Sequence, residues 1–462
     1  MIELPIVVYG NGDIFQKCLA EIANIFGDDI FQTIFRMAVL LGGITAIFSA
    51  ITKRDFMQCL RWFGRYYLVY CILFFPRLNV YVDDLITAKK FDSIRLPLGL
   101  AVFASYATTI GNALTHLVES RLGFGNNFVG LNYSQGGMML ASRMMIDSAQ
   151  FKVSDLQFSG NLQSFIKNCS KATADNFMSS ADLWATIIAG GVKSGTFTYN
   201  GAVVSCAEAV SGEGGKLFSN LSAVIEQAKI RYGKFLFPDA LAPEHMLSNN
   251  LFLSFDYLLN MGFSPEQKDI LAQGIMQQVM LANFIQNEIA QTVIAVPAPS
   301  FGYQVAAWLP LIKNVGEIII YACFMFMVLL TLFPYGTTIL KNYILLLSWL
   351  QTWPSLYVII NYVCSTYAKS RLVGTLLNLQ FWPHLMQVNA DAVALAGYLS
   401  LGIPLIAAGL MRGVANMIAQ LTHQEVIQPQ PFITMESAPT GLHANVQYVQ
   451  SQLQENKPGN NS

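Results

Sequence analysis

Near its end the chain reads IIIYACFMFMVLLTLF (318–333), then NYILLLSWLQTWPSLYVIINYVCSTYA (342–368), then AVALAGYLSLGIPLIAAGLM (392–411), three blocks without a charged side chain. A hydrocarbon core about 30 Å thick takes roughly 20 mainly apolar residues to cross as a helix. These blocks therefore predict membrane spans at about 314–333, 342–366 and 392–412. Two further apolar stretches open the chain, at about 34–51 and 57–75. Their arginines, Arg36 and Arg65, stand near helix ends, where a guanidinium can reach the headgroups. The stretch 57–75 also reads as a buried or interfacial helix.

Composition agrees. The chain is 53% hydrophobic and 12% charged, about half the charged fraction of an average soluble domain, and its mean hydropathy is +0.43. The middle differs: residues 77–300 hold 15 Lys and Arg against 17 Asp and Glu, which predicts a water-soluble module. The reading is a mainly α-helical, polytopic membrane protein in four parts: an N-terminal membrane region (1–76), a mainly helical module (77–307), a C-terminal membrane region (308–419) and a tail (420–462) rich in Gln and Pro. That tail buries too little apolar surface to offset its ordering entropy, so disorder is expected there, with a short helix possible near 445–454.

Orientation follows from basic residues in short loops, which stay on the cytoplasmic side. Lys53, Arg54 and Arg61 place the first loop there, Lys341 the later turn, and the module then lies across the membrane. MIELPIVVYGNGD has no basic residue, so it does not read as a signal peptide, and the early apolar segments are expected to stay as anchors. The run 96–118 is nearly uncharged too. Counted as a span, it reverses everything after it; otherwise it is a helix on the membrane or in the module core.

Within the module, Ser264-Pro265-Glu266-Gln267 resembles a capping box. A helix from there to about 292 would bury Ile270, Leu271, Ile275, Val279, Met280 and Ile285. Ser179, Asp182 and Gly190 bracket a short helix, DLWATIIAG (182–190), anchored by Trp184. Residues 193–201 read as a loop or short hairpin, the one place where strand is expected.

Of seven cysteines, Cys18, Cys59, Cys71, Cys323 and Cys364 fall in or beside apolar blocks, where cysteine packs as a small hydrophobe. Cys169 and Cys206 remain together in the module. If it faces an oxidising compartment, they should form a disulfide.

No catalytic motif is present. Gly212-Glu213-Gly214-Gly215-Lys216 has Val210 and Leu217 where a phosphate loop needs glycine and Ser or Thr, and Gly123-Phe124-Gly125 lacks the third glycine of a dinucleotide loop. Histidines 116, 245, 384, 423 and 443 form no zinc pattern. No cofactor, metal or small-molecule substrate is expected, and no basic and aromatic cluster suggests direct nucleic-acid binding. Lys313 and Glu317, four apart before the block 318–333, read as a salt bridge at the membrane interface, with an ion path as the other reading.

The blocks IIIYACFMFMVLLTLFPYGTTILKNYILLLSWLQTWPSLYVIINYV (318–363) and VNADAVALAGYLSLGIPLIAAGLMRG (388–413) resemble the TraG N-terminal family of conjugative transfer proteins. So do RLPLGLAVFASYATTIGNALTHLVES (95–120), NLQSFIKNCSKATADNFMSSADLWATI (161–187) and SCAEAV (205–210), in the same order. Cys169 and Cys206 match that family's periplasmic cysteines. The resemblance implies an inner-membrane, multi-pass scaffold of an F-type type IV secretion system. It implies roles in pilus assembly and mating-pair stabilisation, with membrane lipid and other conjugative secretion and pilus assembly proteins as partners. Fuller members continue into a periplasmic C-terminal half, which needs one crossing beyond the five counted here; 96–118 or a split at Trp353-Pro354 would supply it. The competing reading is a transporter or channel with helices broken at Pro354 and Pro404.

Overall fold

Residues ELPIVV form β1 (Glu3–Val8), and it pairs in parallel with β2 (Arg77–Asp84), Glu3 opposite Asn79 and Val8 opposite Asp84. The computed structural model describes residues 3–54, 56–74, 76–171, 182–189, 194–210, 215–261, 268–289, 301–333, 336–375 and 379–422. Residues 1–411 are one compact unit, so the sequence boundaries near 76 and 307 are changes of composition inside one packed body.

β2 also pairs antiparallel with β3 (Lys89–Lys90) and with β4 (Ile94–Pro97). Ile6, Val8, Val80 and Val82 are fully buried, as expected of a parallel pair covered on both faces. Val7 turns its N–H away from β2 to Thr108 Oγ1 at 3.3 Å. Pro5 has the same parity, so its missing N–H removes no ladder bond. This sheet corrects the expectation that strand lies only at 193–201.

The route from β1 to β2 sets the architecture. The turn after β1 has positive φ at Gly10 and Asn11, residues that tolerate it, and leads into α1 (Gly12–Ile25). The Asp84 carboxylate, fully buried, accepts the N–H groups of Gly10 (2.8 Å), Gly12 (3.2 Å), Ile86 (3.1 Å) and Thr87 (3.4 Å). It thereby satisfies orphan donors at the helix start and sits at the positive end of the helix dipole. A side chain at Gly12 would lie 2.5 Å from Phe91 and 2.9 Å from Asp84 Cβ. Then α1 runs back along the sheet, and Phe26 O accepts from Arg77 Nη2 at 3.5 Å. Between those two residues lie α2 (Asp29–Lys53) and α3 (Phe56–Tyr67), the latter continued by a π-helix (Leu68–Phe74). The pair is a hairpin whose two ends meet at the base of the sheet.

Beyond β4 follow α4 (Leu98–Leu122), α5 (Tyr133–Gly136), α6 (Leu140–Ser148), α7 (Leu156–Asn168) and α8 (Leu183–Ala189). A hairpin of β5 (Thr196–Tyr199) and β6 (Ala202–Ser205) precedes α9 (Cys206–Val210), α10 (Lys216–Leu236), α11 (Pro243–Leu259) and α12 (Lys268–Phe284), which passes into a π-helix (Ile285–Ile289). The expected helix to about 292 is thus present from Lys268 to Ile289, and Ile275, Val279, Met280 and Ile285 are buried while Ile270 is exposed. Its capping box, the Ser179 cap and the tail beyond 422 lie outside the described residues.

The last third is α13 (Phe301–Thr331), α14 (Gly336–Gln351), α15 (Trp353–Leu372), α16 (Trp382–Ser400) and α17 (Ile403–Thr422). The long block breaks at Thr352, with Pro354 in the first turn of α15, and the last breaks at Leu401-Gly402, with Pro404 just inside α17. Proline fits there because first-turn N–H groups have no intrahelical partner.

Among the described residues, five helical stretches are long and apolar enough to cross a membrane: Asp29–Thr52, Leu98–Leu122, Leu311–Thr331, Gly336–Leu372 and Trp382–Gly413. Four overlap the spans expected at 34–51, 314–333, 342–366 and 392–412. The fifth expected span, 57–75, is not among them, because α3 is short and carries Arg61 and Arg65 before giving way to the π-helix; the fifth stretch is Leu98–Leu122, whose sequence reads either as a span or as a helix of the module core. The protein is mainly α-helical and polytopic.

α13 and α16 cross with their backbones in close contact. A Cβ on Gly397 would sit 1.8 Å from the Gly302 carbonyl oxygen, and one on Gly302 would sit 2.2 Å from that of Ala394. Backbones this close leave no room for a methyl group. We expect Gly397→Ala to lower stability by about 1 to 3 kcal/mol through overpacking. Gly160→Ala, at a helical site where nothing lies within 4 Å of the added Cβ, should be neutral or mildly stabilising. Thermal unfolding in detergent checks both.

Candidate functional site

Where α13 passes the end of β1, the chain buries a cluster of polar groups. Lys313 and Glu317 are 1% and 0% exposed, with Nζ and Oε2 at 2.5 Å. The expected salt bridge is present, and the pair lies inside the protein. α13 begins a dozen residues earlier, and the sheet and two other helices close over the site.

Other side chains close around the pair. Glu317 Oε1 accepts from Tyr321 OH at 2.6 Å and Gln351 Nε2 at 2.8 Å. The Lys313 ammonium lies 5.7 Å from the Tyr9 ring centroid, within cation–π range. Asn314 Nδ2 donates to Gly10 O at 2.6 Å, and Tyr9 OH to Asn112 Oδ1 at 3.0 Å. Four elements meet here: the end of β1, α4, α13 and the last residue of α14. The backbones are tight too, since a Cβ on Gly111 would lie 2.8 Å from Gln351 Oε1. Burial pushes the Tyr9 phenol above its ordinary range, the neighbouring Glu119 and Glu317 adding to that, so Tyr9 acts as a neutral donor.

A second polar knot pins α6, whose residues are buried except for partly exposed Arg143. Asn361 on α15 accepts the Met139 N–H at 2.7 Å and donates to Leu131 O at 3.3 Å. At the other end Asn283 on α12 donates to Ser148 O and Phe151 O at 3.1 and 3.0 Å. Tyr303, at the start of α13, donates to Asp147 Oδ1 at 2.7 Å. Burial raises the Asp147 carboxyl above its usual range, against the opposing pull of Arg143 and that hydroxyl.

The structure joins Cys169, just after α7, to Cys206, the first residue of α9, both buried. Between them lies the β5–β6 hairpin, turned by Asn200 and Gly201 with positive φ, as a two-residue hairpin turn requires. The hairpin is fastened to α7 twice: by the disulfide, and by Asn161, which donates to Asn200 Oδ1 at 2.6 Å and accepts the Asn200 N–H at 3.0 Å. Phe165 packs edge-on against Phe197 between these points. Closing 37 residues is worth about 3 to 4 kcal/mol in the chain-entropy account. Asp182 caps α8, accepting from Ala185 N at 2.9 Å, and Gln278 bridges Asp182 and Leu183 to α12. These contacts make a braced outer surface.

Among the described residues no three His, Cys, Asp or Glu side chains gather as a metal site. Sequence reasoning found the cysteines and the Lys313–Glu317 pair. It missed Asp84, Asn314, Gln351, Asn361 and Asn283. Only Asp84 had a readable signal: RLNVYVDD alternates apolar and polar positions before a turn.

With this geometry in hand, the comparisons are specific. Residues 6–428 match the family described as TraG-like protein, N-terminal region. The chain belongs to this family. It is also similar to protein TraG of Escherichia coli, 23% identical over 441 residues, covering 88% of this chain and 45% of that protein. The chain thus spans less than half the length of that relative. No solved structure matches.

The buried pair is a test of the packing logic. Removing one partner of a buried ion pair leaves an uncompensated charge and costs about 3 to 5 kcal/mol, whereas removing both is far cheaper. We expect Lys313→Met and Glu317→Gln each to unfold the detergent-solubilised chain at markedly lower denaturant, with the double variant recovering most of the loss. Additive losses in the double-mutant cycle would show that the two side chains do not interact.

Proposed function

We propose that this chain is an inner-membrane scaffold of a conjugative type IV secretion system, acting in pilus assembly and mating-pair stabilisation. The observation that carries this reading is the family match over residues 6–428. In it, the segment 77–307 faces the periplasm as a mainly helical module between two membrane regions, 1–76 and 308–419, with α4 a helix of the module's core that does not cross. The Cys169–Cys206 bond supports that placement, because structural disulfides persist in oxidising compartments.

The work of such a scaffold is binding. The apolar helices hold it in lipid, and the disulfide-braced surface is offered to other secretion and pilus assembly proteins. No residue serves as a catalyst, and no cofactor, small-molecule substrate or nucleic acid is a ligand. The transporter or channel reading draws on the buried Lys313–Glu317 pair and the helix breaks at Thr352 and Leu401. Against it, Tyr9, Tyr321 and Gln351 already surround the pair.

Deleting the gene in a conjugating host should abolish both assembled pili and plasmid transfer, with restoration by the chain supplied in trans. Loss of transfer with normal pili would contradict the pilus-assembly role. Unchanged pili and transfer would contradict the whole reading.

A further inference from the structure

The tip of the α2–α3 hairpin, from the end of α2 into α3, holds Lys53, Arg54 and Arg61 against one acid, Asp55. Arg54 ends α2 in a left-handed conformation (φ 51). Arg54 and Arg61 are both exposed, and among the described residues neither enters an ion pair. Arg65 is different: it reaches into the protein and donates to Phe333 O at 2.7 Å, beside Trp62, which donates to Leu332 O at 2.9 Å.

The rest of α3 is amphipathic in an unusual sense. Phe56, Leu60, Phe63 and Tyr67 recur at helical spacing and leave 56 to 78% of their surfaces exposed. At 100° per residue they form one stripe, and Arg61 falls between that stripe and Arg65. The end of α13 meets the hairpin at Gly42 and Trp62, through Leu332. From Gly42, α2 runs on to Lys53 through about 16 Å of helix at 1.5 Å per residue. The tip thus projects past α13, cationic at its end and apolar along one side.

We propose that this tip is a binding site for anionic phospholipid, with headgroup phosphates against Arg54 and Arg61 and acyl chains covering Phe56, Leu60 and Phe63. Charge complementarity selects this occupant. The tip is net positive and needs an anion, the adjoining stripe needs hydrocarbon, and an acidic lipid supplies both on one molecule. Guanidinium groups also bind phosphate by paired N–H donors, which a zwitterionic headgroup offers with its charge already offset. The proposal rests on the membrane reading above and adds a lipid class and the residues that select it.

The test uses the full chain in nanodiscs of phosphatidylcholine alone or mixed with phosphatidylglycerol and cardiolipin, with retained lipids identified by native mass spectrometry. Wild type should retain the anionic lipids preferentially. Arg54→Gln/Arg61→Gln should weaken that preference roughly 30-fold, the effect of removing two basic side chains at a lipid surface. Arg54→Lys/Arg61→Lys should keep most of it, and Arg95→Gln, an exposed basic residue outside the hairpin, should keep all of it. Equal retention of phosphatidylcholine by wild type, or full preference in the double Gln variant, would overturn the proposal. So would full competition by inorganic phosphate, which would mark a free-anion site. A wild-type chain that enters no nanodisc would overturn the membrane reading itself and the proposal with it.

Discussion

The parallel pairing of β1 with β2 constrains everything that lies between them. A parallel neighbour demands a crossover, and here α1 is that crossover, returning the chain to the base of the sheet before α2 leaves. The next strand starts at the same base, at Arg77. Whatever α2 does with respect to a bilayer, the π-helical end of α3 must undo, so the hairpin crosses twice or not at all. The hydropathy of 29–52 suits a crossing, and on that reading the return leg crosses too, although it is too polar to be recognised as a span by composition. Asp84 holds the arrangement: its carboxylate fixes the turn out of β1 and the turn out of β2 together.

The second organising element is α13, which is held at three depths by different chemistry. At its start, glycine-on-backbone contact with α16 and the Tyr303–Asp147 bond join it to the pinned α6. In its middle, the Lys313–Glu317 junction takes in β1, α4 and α14. At its end, Trp62 and Arg65 satisfy the carbonyls of residues 332 and 333, groups that no helix can satisfy for itself and that attract positive charge. Between these, Phe26, Phe103 and Tyr343 gather around Phe324 with ring centroids 5.9 to 6.4 Å apart. The membrane regions and the intervening segment are therefore braced together, as a scaffold that transmits force between them would require.

What was legible in the sequence was what local composition determines. Three uncharged blocks of bilayer length and the apolar stretch 34–51 gave four of the apolar helices, compartment logic gave the Cys169–Cys206 pair, and the hairpin at 193–201 has a local signature. What was not legible depends on partners far apart in the chain. β1 contains Pro5 and finds its partner more than seventy residues on, so nothing near it says strand. The burial of Lys313 and Glu317 within the protein was not legible for the same reason: only the arrival of Tyr9, Asn112 and Gln351 from three other elements makes the site interior. Residues such as Asn283 and Asn361, which pin α6, look from sequence like any polar side chain on an apolar helix.

The central claim is that the chain's first strand and residues 77–97 stand on one side of the bilayer, with the hairpin tip on the other. Single cysteines placed at Glu3, Lys90 and Arg54 in a chain lacking its free native thiols, probed in intact cells with a membrane-impermeant thiol reagent, test it most directly. The account predicts that positions 3 and 90 label alike once the outer membrane is opened, and that position 54 labels only after the inner membrane is breached. Labelling of positions 3 and 90 from opposite sides would contradict it.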